Sequence, residues 1–273
     1  MPFSLSLRKA MVRSYYGMMK VICPGLRNSH FSYREMVQSL VGAETRWLDL
    51  GCGHQFFPDW MNDLSKVQLE LVKRCTSVVG VDPFDLRPHT AGIPKIAASA
   101  ERLPFEDGSF SLVTANMVVE HVAEPETLLR EVSRVLKPGG LFLFHTPNAN
   151  YFEVAIARRI PAAVMKGIAS LLDGRASDDI FETHYRMNTA DDIRSVAEVC
   201  GLRVQSIRHV ECTAQGVMLG PLVAVELLII RVLRASRFEK YRSDLVVVLQ
   251  KPDVQNRRIP SSATGQRLSL QTV

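Results

Sequence analysis

The residues best suited to chemistry sit where short apolar runs end in glycine or acid. Leu48-Asp49-Leu50-Gly51-Cys52-Gly53 is one such place. Two glycines at a strand-to-helix turn let a ligand approach the backbone closely, and Asp49 beside them can hold an amino group, directly or through water. Without a ligand the same residues are a bare turn. The continuation His54-Gln55-Phe56-Phe57 lacks the third glycine of a dinucleotide fingerprint, which argues against a nicotinamide oxidoreductase. A second acid, Asp82, comes after the run Ser77-Val78-Val79-Gly80-Val81. An acid there can accept both hydroxyls of a ribose; its other role would be to start the turn before Pro83. It lies further from the glycines than the usual spacing of roughly twenty residues. The intervening helix must therefore be long, or carry an insertion around Asn62–Gln68. Glu120-His121 is the acid–base candidate, and its competing role is a solvated helix start.

These residues need elements to position them. Arg46–Leu50, Ser77–Asp82, Lys95–Ala98, Phe110–Ala115 and Leu141–His145 read as short buried strands. Helical stretches over about 59–74 and 125–136 alternate with them. Such alternation predicts an α/β, doubly wound, mostly parallel sheet covered on both faces. A helix at 190–200, a sixth strand near Leu202–Val210 and a seventh at Ser243–Leu249 complete seven strands. Lys137-Pro138-Gly139-Gly140 reads as a helix stop and turn, and Trp47 as core. Three regions stand around the 44–251 domain: a helical N-terminal extension over 1–43, broken at Pro24-Gly25, a lid-like insertion over 148–188, and a polar tail over 252–273 read as disordered.

The 273 residues carry a formal net charge of +5, with 47% hydrophobic and 22% charged residues. That composition suits a globular domain; its mild basicity selects no partner, and no basic run is dense enough to trace a nucleic-acid backbone. The five cysteines, Cys23, Cys52, Cys75, Cys200 and Cys212, are odd in number and widely spaced. They predict neither a disulfide framework nor a zinc site, and a reducing cytoplasm fits them. Charges among the first twenty residues interrupt any signal-peptide core. The apolar run Val217–Ile230 contains Glu226 and is short for a membrane span. Arg231, Arg234, Arg237, Lys240 and Arg242 come directly after it, so 217–242 is a candidate for peripheral membrane contact; the alternative is a buried helix with solvated arginines at its end.

Beyond single motifs, the order of several resembles the class I S-adenosylmethionine-dependent methyltransferases, with their Rossmann-like fold. Ser99-Ala100-Glu101-Arg102-Leu103-Pro104-Phe105-Glu106-Asp107-Gly108-Ser109-Phe110 is similar to their segment between strands three and four. Val118-Val119-Glu120-His121-Val122 and Leu128–Gly140 are similar to the segment those enzymes carry after strand four. The likeness spans roughly residues 45–147, with a weaker continuation at His184–Gly201. The resemblance implies that Asp49, Gly51 and Gly53 lie under the methionine part of S-adenosylmethionine and that Asp82 binds the ribose. It puts Ser99, Ala100 and Glu101 beside the adenine and Asn116 on the floor after strand four. Two departures stand out. Ser99 replaces an aspartate common in relatives, which weakens a hydrogen bond to the adenine amino group. Ser111 also stands where aspartate is common, at the strand's entry.

Methyl transfer from a sulfonium is an in-line displacement in which the protein mainly aligns the partners. An oxygen nucleophile also needs its proton removed, a carbon nucleophile needs an electron-rich ring or enolate, and a nitrogen nucleophile needs desolvation. Glu120-His121 also resembles the pair in ubiquinone-pathway O-methyltransferases, where an upstream glutamate joins it to bind a divalent cation. Here that position is Met117, and a thioether suits a hard cation poorly, so no metal is expected. His145, Asn148, Tyr151, His184, Tyr185 and Arg186 are further pocket candidates. The predicted activity is methylation of a small-molecule acceptor. The alternative is a catalytically inactive S-adenosylmethionine-binding protein with a regulatory or assembly role.

Overall fold

Each apolar run that ends in a chemistry-bearing residue forms a strand of one sheet. The structure, a computed structural model, describes residues 5–61, 63–85, 87–157, 182–214 and 217–253. Its strands are β1 (Arg46–Leu50), β2 (Ser77–Val81), β3 (Lys95–Ile96), β4 (Phe110–Asn116), β5 (Leu136–Pro147), β6 (Arg203–Val210) and β7 (Asp244–Gln250). They lie in the order β3-β2-β1-β4-β5-β7-β6. The first five run parallel, and β7 is antiparallel to both β5 and β6. The order reverses between β1 and β4, and ligands of open α/β sheets bind at such a switch, beyond the carboxyl ends of the strands. Register makes that edge level: Leu50 pairs with Val81 and with Ala115, and Asn116 pairs with His145.

Strand alternation divides the apolar residues between two faces. On one, Leu48, Val113, Phe142 and Phe144 pack with Leu128, Leu129 and Val132 of α4 (Pro125–Val135) and Ile193 of α6 (Ala190–Val199). On the other, Trp47, Leu112, Leu143 and Val246 pack with Tyr33 and Val37 of α2 (Ser29–Leu40) and Leu71 of α3 (Leu64–Arg74). A third cluster joins Tyr15 of α1 (Leu5–Ile22) to Leu227 and Ile230 of α7 (Val223–Leu233). Asn28 caps α2 by accepting the His30 amide at 3.0 Å, and Thr189 caps α6 by accepting the Asp192 amide at 3.1 Å. A short α5 (Phe152–Ala157) opens the 148–188 stretch. Most of the expected lid, 158–181, and the tail from 254 onward lie outside the described residues.

Three elements differ from the sequence reading. The helix expected from about Asp59 starts at Leu64. The residues before it form turns that bury Phe56, Phe57 and Met61, and Gln68 accepts the Phe56 amide at 2.7 Å. The extra chain between the glycines and Asp82 thus precedes α3. β5 begins at Leu136, ahead of the expected Lys137–Gly140 turn. Leu136 is buried in the core and pairs with Phe110; the register then shifts, so the four residues form an irregularity inside the strand. Finally, Val217–Ile230 is not one helix. Gly220, at φ 62°, and Pro221 kink a short 3-10 segment, Val217–Leu222, that precedes α7.

Candidate active site

The glycine loop is built by close packing and by two neighbouring strands. Gly51 and Gly53 have φ of 61° and 50°, the left-handed region that side chains resist. A Cβ at Gly51 would overlap Val118 Cγ2, so a protein neighbour already excludes a side chain there. A Cβ at Gly80 would lie 2.5 Å from Cys52 Sγ, which explains a glycine inside β2. The Cys52 amide donates to Val81 O at 3.2 Å, and the Gly53 amide to Asp82 Oδ2 at 2.9 Å. Lys95 Nζ, from edge strand β3, donates to Gly53 O at 2.7 Å.

Asp82 sits just past β2 with its carboxylate buried. Its Oδ1 accepts the amides of Phe84 and Asp85 at 2.9 and 2.8 Å, while Oδ2, among the described residues, accepts only that of Gly53. A carboxylate offers about four acceptor positions, so Oδ2 keeps one for a further donor. Asp85 stands beside Arg87, Lys95 and His54, and the Arg87 guanidinium holds its carboxyl well below the usual range. Asp49 is buried on β1 and accepts the Thr114 hydroxyl, which itself accepts Trp47 Nε1 at 2.6 Å. Burial pushes its pKa up to about 7. Trp47 is core, as its sequence context predicts.

Just after β3, Ser99 Oγ accepts the Glu101 amide at 3.2 Å, with Ala100 between them half-buried. Ser111 bridges β1 and β4 by accepting the Arg46 amide at 2.9 Å, a structural use of the second departure. Two residues here escaped the sequence reading. Lys95 lies on a two-residue strand whose pattern says nothing of a loop 42 positions away. Phe84 is largely exposed two residues after Asp82; an aromatic so close to the ribose candidate was the available signal.

At the end of β4 the chain turns sharply. Met117 adopts φ 56°, and its amide donates to His145 O at 2.9 Å. A left-handed β-strand-end residue is a form of strain that clusters at functional sites. The turn carries Val119 and Glu120 inward. Glu120 is buried, not a solvated helix start, and its Oε2 accepts the Thr146 hydroxyl at 3.0 Å. Burial, reinforced by Asp244, pushes its pKa up to about 7. Its backbone carbonyl accepts the amides of His184 and Tyr185, and His121 Nδ1 lies 2.7 Å from Glu182 O. The chain returning from the 148–188 stretch therefore rests on the Glu120-His121 pair.

The other pocket candidates are more structural. Asn116 Oδ1 meets Nδ1 of the fully buried His145 at 3.0 Å. The His145 ring stacks on Tyr33 at 5.7 Å, beneath α2. Asn148 is also fully buried, and its Nδ2 donates to Lys240 O and Arg242 O, so it clamps the entry to β7. Tyr151 is buried, whereas Arg186 is exposed. Among the described residues no three His, Cys, Asp or Glu side chains converge as a metal site. None of the five cysteines is in a disulfide.

Comparison with known proteins decides the family to which this geometry belongs. A family model described as a methyltransferase domain matches residues 29–207, well over half of the chain. The chain belongs to the S-adenosylmethionine-dependent methyltransferases. The matched span opens on α2 and closes in β6, so it contains Asp49, Gly51, Gly53, Asp82, Asn116 and Glu120. The chain is 42% identical over 94 residues to the demethylmenaquinone methyltransferase of Mycobacterium bovis, covering 32% of this chain and 40% of that one. It is 46% identical over 55 residues to the mitochondrial 2-methoxy-6-polyprenyl-1,4-benzoquinol methylase of Mus musculus, covering 20% of this chain and 17% of that one. The chain thus spans less than half the length of these curated relatives. Its fold matches an S-adenosylmethionine-dependent methyltransferase from Mesorhizobium loti with a TM-score of 0.53 at 20% identity, covering 81% of this chain and 97% of that one. The fold is the class I, Rossmann-like one, and S-adenosylmethionine is its cofactor.

Proposed function

We propose that this chain methylates an enclosed small-molecule acceptor, with Glu120 as the group that takes the acceptor's proton. The observation that carries the reading is a buried carboxyl poised near neutrality just past β4. A base of that kind suits a hydroxylated or enolisable ring better than an amine, which needs only desolvation. The names of the two quinone-methylating relatives point to the same class of ring.

The residues fit the cofactor. Asp82 has an acceptor position left for a ribose hydroxyl. Gly53 has left-handed backbone with open space on its Cβ side, apart from Asp85 Oδ2 at 3.7 Å. Phe84 offers an exposed ring beside Asp82 for a purine, with Ser99, Ala100 and Glu101 on the adenine side. Asp49 and Gly51 would bound the methionine end, and Asn116 the floor. When bound, S-adenosylmethionine supplies a methyl group activated on sulfonium. The chain's own part is to hold the acceptor over the end of β4, exclude water with the returning 182–186 segment, and accept a proton at Glu120. Thr146 and Asn188 hold that carboxyl in place: Thr146 donates to it and accepts Asn188 Nδ2 at 2.7 Å.

Two measurements test the reading. Calorimetric titration should show S-adenosylmethionine binding and no NAD binding. A strain lacking the protein should accumulate a metabolite lighter by one methylene, which the purified protein then methylates. Binding without turnover on that metabolite would overturn the catalytic assignment and leave a cofactor-binding regulator.

A further inference from the structure

The site leaves one surface unexplained, formed by α1 and the segment leading through α7. The two run side by side and parallel. Met11 Cε lies 3.7 Å from the Cβ position of Gly220, and Arg231 Nη1 donates to Ile22 O at 2.6 Å further along. Arg234 Nη1 donates to Pro24 O at 2.8 Å, and Cys23 Sγ to Leu227 O at 3.0 Å. Arg231 and Arg234 thus tie α7 to the end of α1. Both side chains stay exposed at that seam.

What remains outward is both apolar and basic. Eight of the thirteen strongly exposed large apolar side chains among the described residues lie on these two elements: Leu7, Val12, Tyr16, Val21, Leu222, Val225, Leu228 and Val232. The last four are each more than half exposed, and three of them share one side of α7 at helical spacing. On α1, Lys9, Arg13, Tyr16 and Lys20 are exposed at i, i+4, i+7 and i+11, a single line along the helix. Charge is segregated in the same place. Residues 5–22 and 222–242 hold nine Lys and Arg against two Glu, a net +7. The whole chain carries only +5, so everything else sums to −2.

We propose that α1 and α7 form a docking surface for an anionic lipid bilayer. Lys9, Arg13 and Lys20 meet headgroup phosphates, and Leu222, Val225, Leu228 and Val232 rest at the headgroup–acyl boundary. An apolar face flanked by cations binds such an interface through both area and charge. A second copy of this chain is a poor occupant, since symmetric pairing of this face sets like charges together. A nucleic-acid backbone satisfies the cations and leaves the aliphatic stripe in water. No helix among the described residues is long and apolar enough to cross a membrane, so the surface lies on the bilayer.

The test is vesicle co-sedimentation of the full chain. Vesicles of pure phosphatidylcholine are compared with ones holding about one-third phosphatidylglycerol, at low salt and at about 0.5 M salt. Binding is expected on anionic vesicles alone, falling at least tenfold at the higher salt. Each interfacial cation contributes up to about fivefold, so Lys9→Gln/Arg13→Gln/Lys20→Gln together lose up to on the order of a hundredfold. Leu222→Ser/Val225→Ser/Leu228→Ser/Val232→Ser removes the binding that persists in salt. Circular dichroism and S-adenosylmethionine affinity report that both variants stay folded. Equal binding to both vesicles, no binding at low salt, or wild-type binding by both folded variants overturns the proposal. So does a dimer in solution that the serine variant makes monomeric, since it gives the face to a second copy.

Discussion

At the scale of single residues, the site's two acids are set apart by their partners. Asp82 is surrounded by backbone amides, whereas buried Glu120 accepts the Thr146 hydroxyl and lies near His121 Nε2, at 3.9 Å, and Asp244. Asp82→Ala removes one charge-assisted bond to a ribose hydroxyl, worth roughly 1.5–3 kcal/mol, and should weaken S-adenosylmethionine binding about ten- to a hundredfold. Wild-type affinity by calorimetry in a folded variant would remove the ribose assignment. For Glu120, the base must be ionised, so turnover should rise with pH up to about 7 and then level off. Glu120→Gln should lower kcat by roughly a hundredfold or more, abolish that limb and leave cofactor affinity unchanged. A Gln variant with an unaltered pH profile would assign the proton to another group. The types and order of these residues were readable from the chain. Glu120's burial was not, because it depends on Thr146, Asn188 and the 182–186 return, all distant in sequence.

At the scale of elements, the sheet was the most legible part. Short apolar runs ending in Asp49 and Asp82 could only be interior strands, and their carboxyl ends had to share an edge. The misreadings came from tertiary packing overriding local signals. Pro138 and the glycines say stop, yet burial of Leu136 starts β5 before them. Val217–Ile230 is apolar throughout, yet Gly220 and Pro221 break it. The Gly51-Val118 contact makes the same point within the site. Gly51→Ala should destabilise the fold even without cofactor. The left-handed φ costs about 1–2 kcal/mol and the overlap with Val118 about 1–3 more. In Gly51→Ala/Val118→Ala the overlap goes and the φ cost stays. Chemical denaturation should therefore show partial recovery, less than additive loss, in the double variant. Strictly additive losses would mean that Val118 is not what requires glycine at 51.

At the scale of the whole molecule, the buried ionisable groups pull stability in opposite directions with pH. Burial raises Asp49 and Glu120 to about 7 and lowers His30 and His89 to about 3 and 4. A carboxyl raised in the folded state keeps a proton that the unfolded chain has lost. Its favourable contribution is whole below the unfolded value, near 4, and disappears as pH rises through about 7. A lowered histidine does the reverse: the unfolded chain holds the proton, so stability is lost as pH falls below about 6.5. Because the two effects offset one another in the parent, differences between variants are the sensitive measure. Relative to the parent, Glu120→Gln should gain stability steadily from pH 4.5 to pH 7, by up to about 3 kcal/mol. At this chain length that corresponds to roughly 5 °C or more in Tm. Glutamine still accepts the Thr146 hydroxyl, so little else changes. His30→Gln should show the opposite slope, gaining on the parent as pH falls from 6.5 towards 4. Parallel Tm–pH curves for the parent and Glu120→Gln would show that Glu120 is ionised in the folded protein at an ordinary pKa, and the base proposed at the end of β4 would lose its basis.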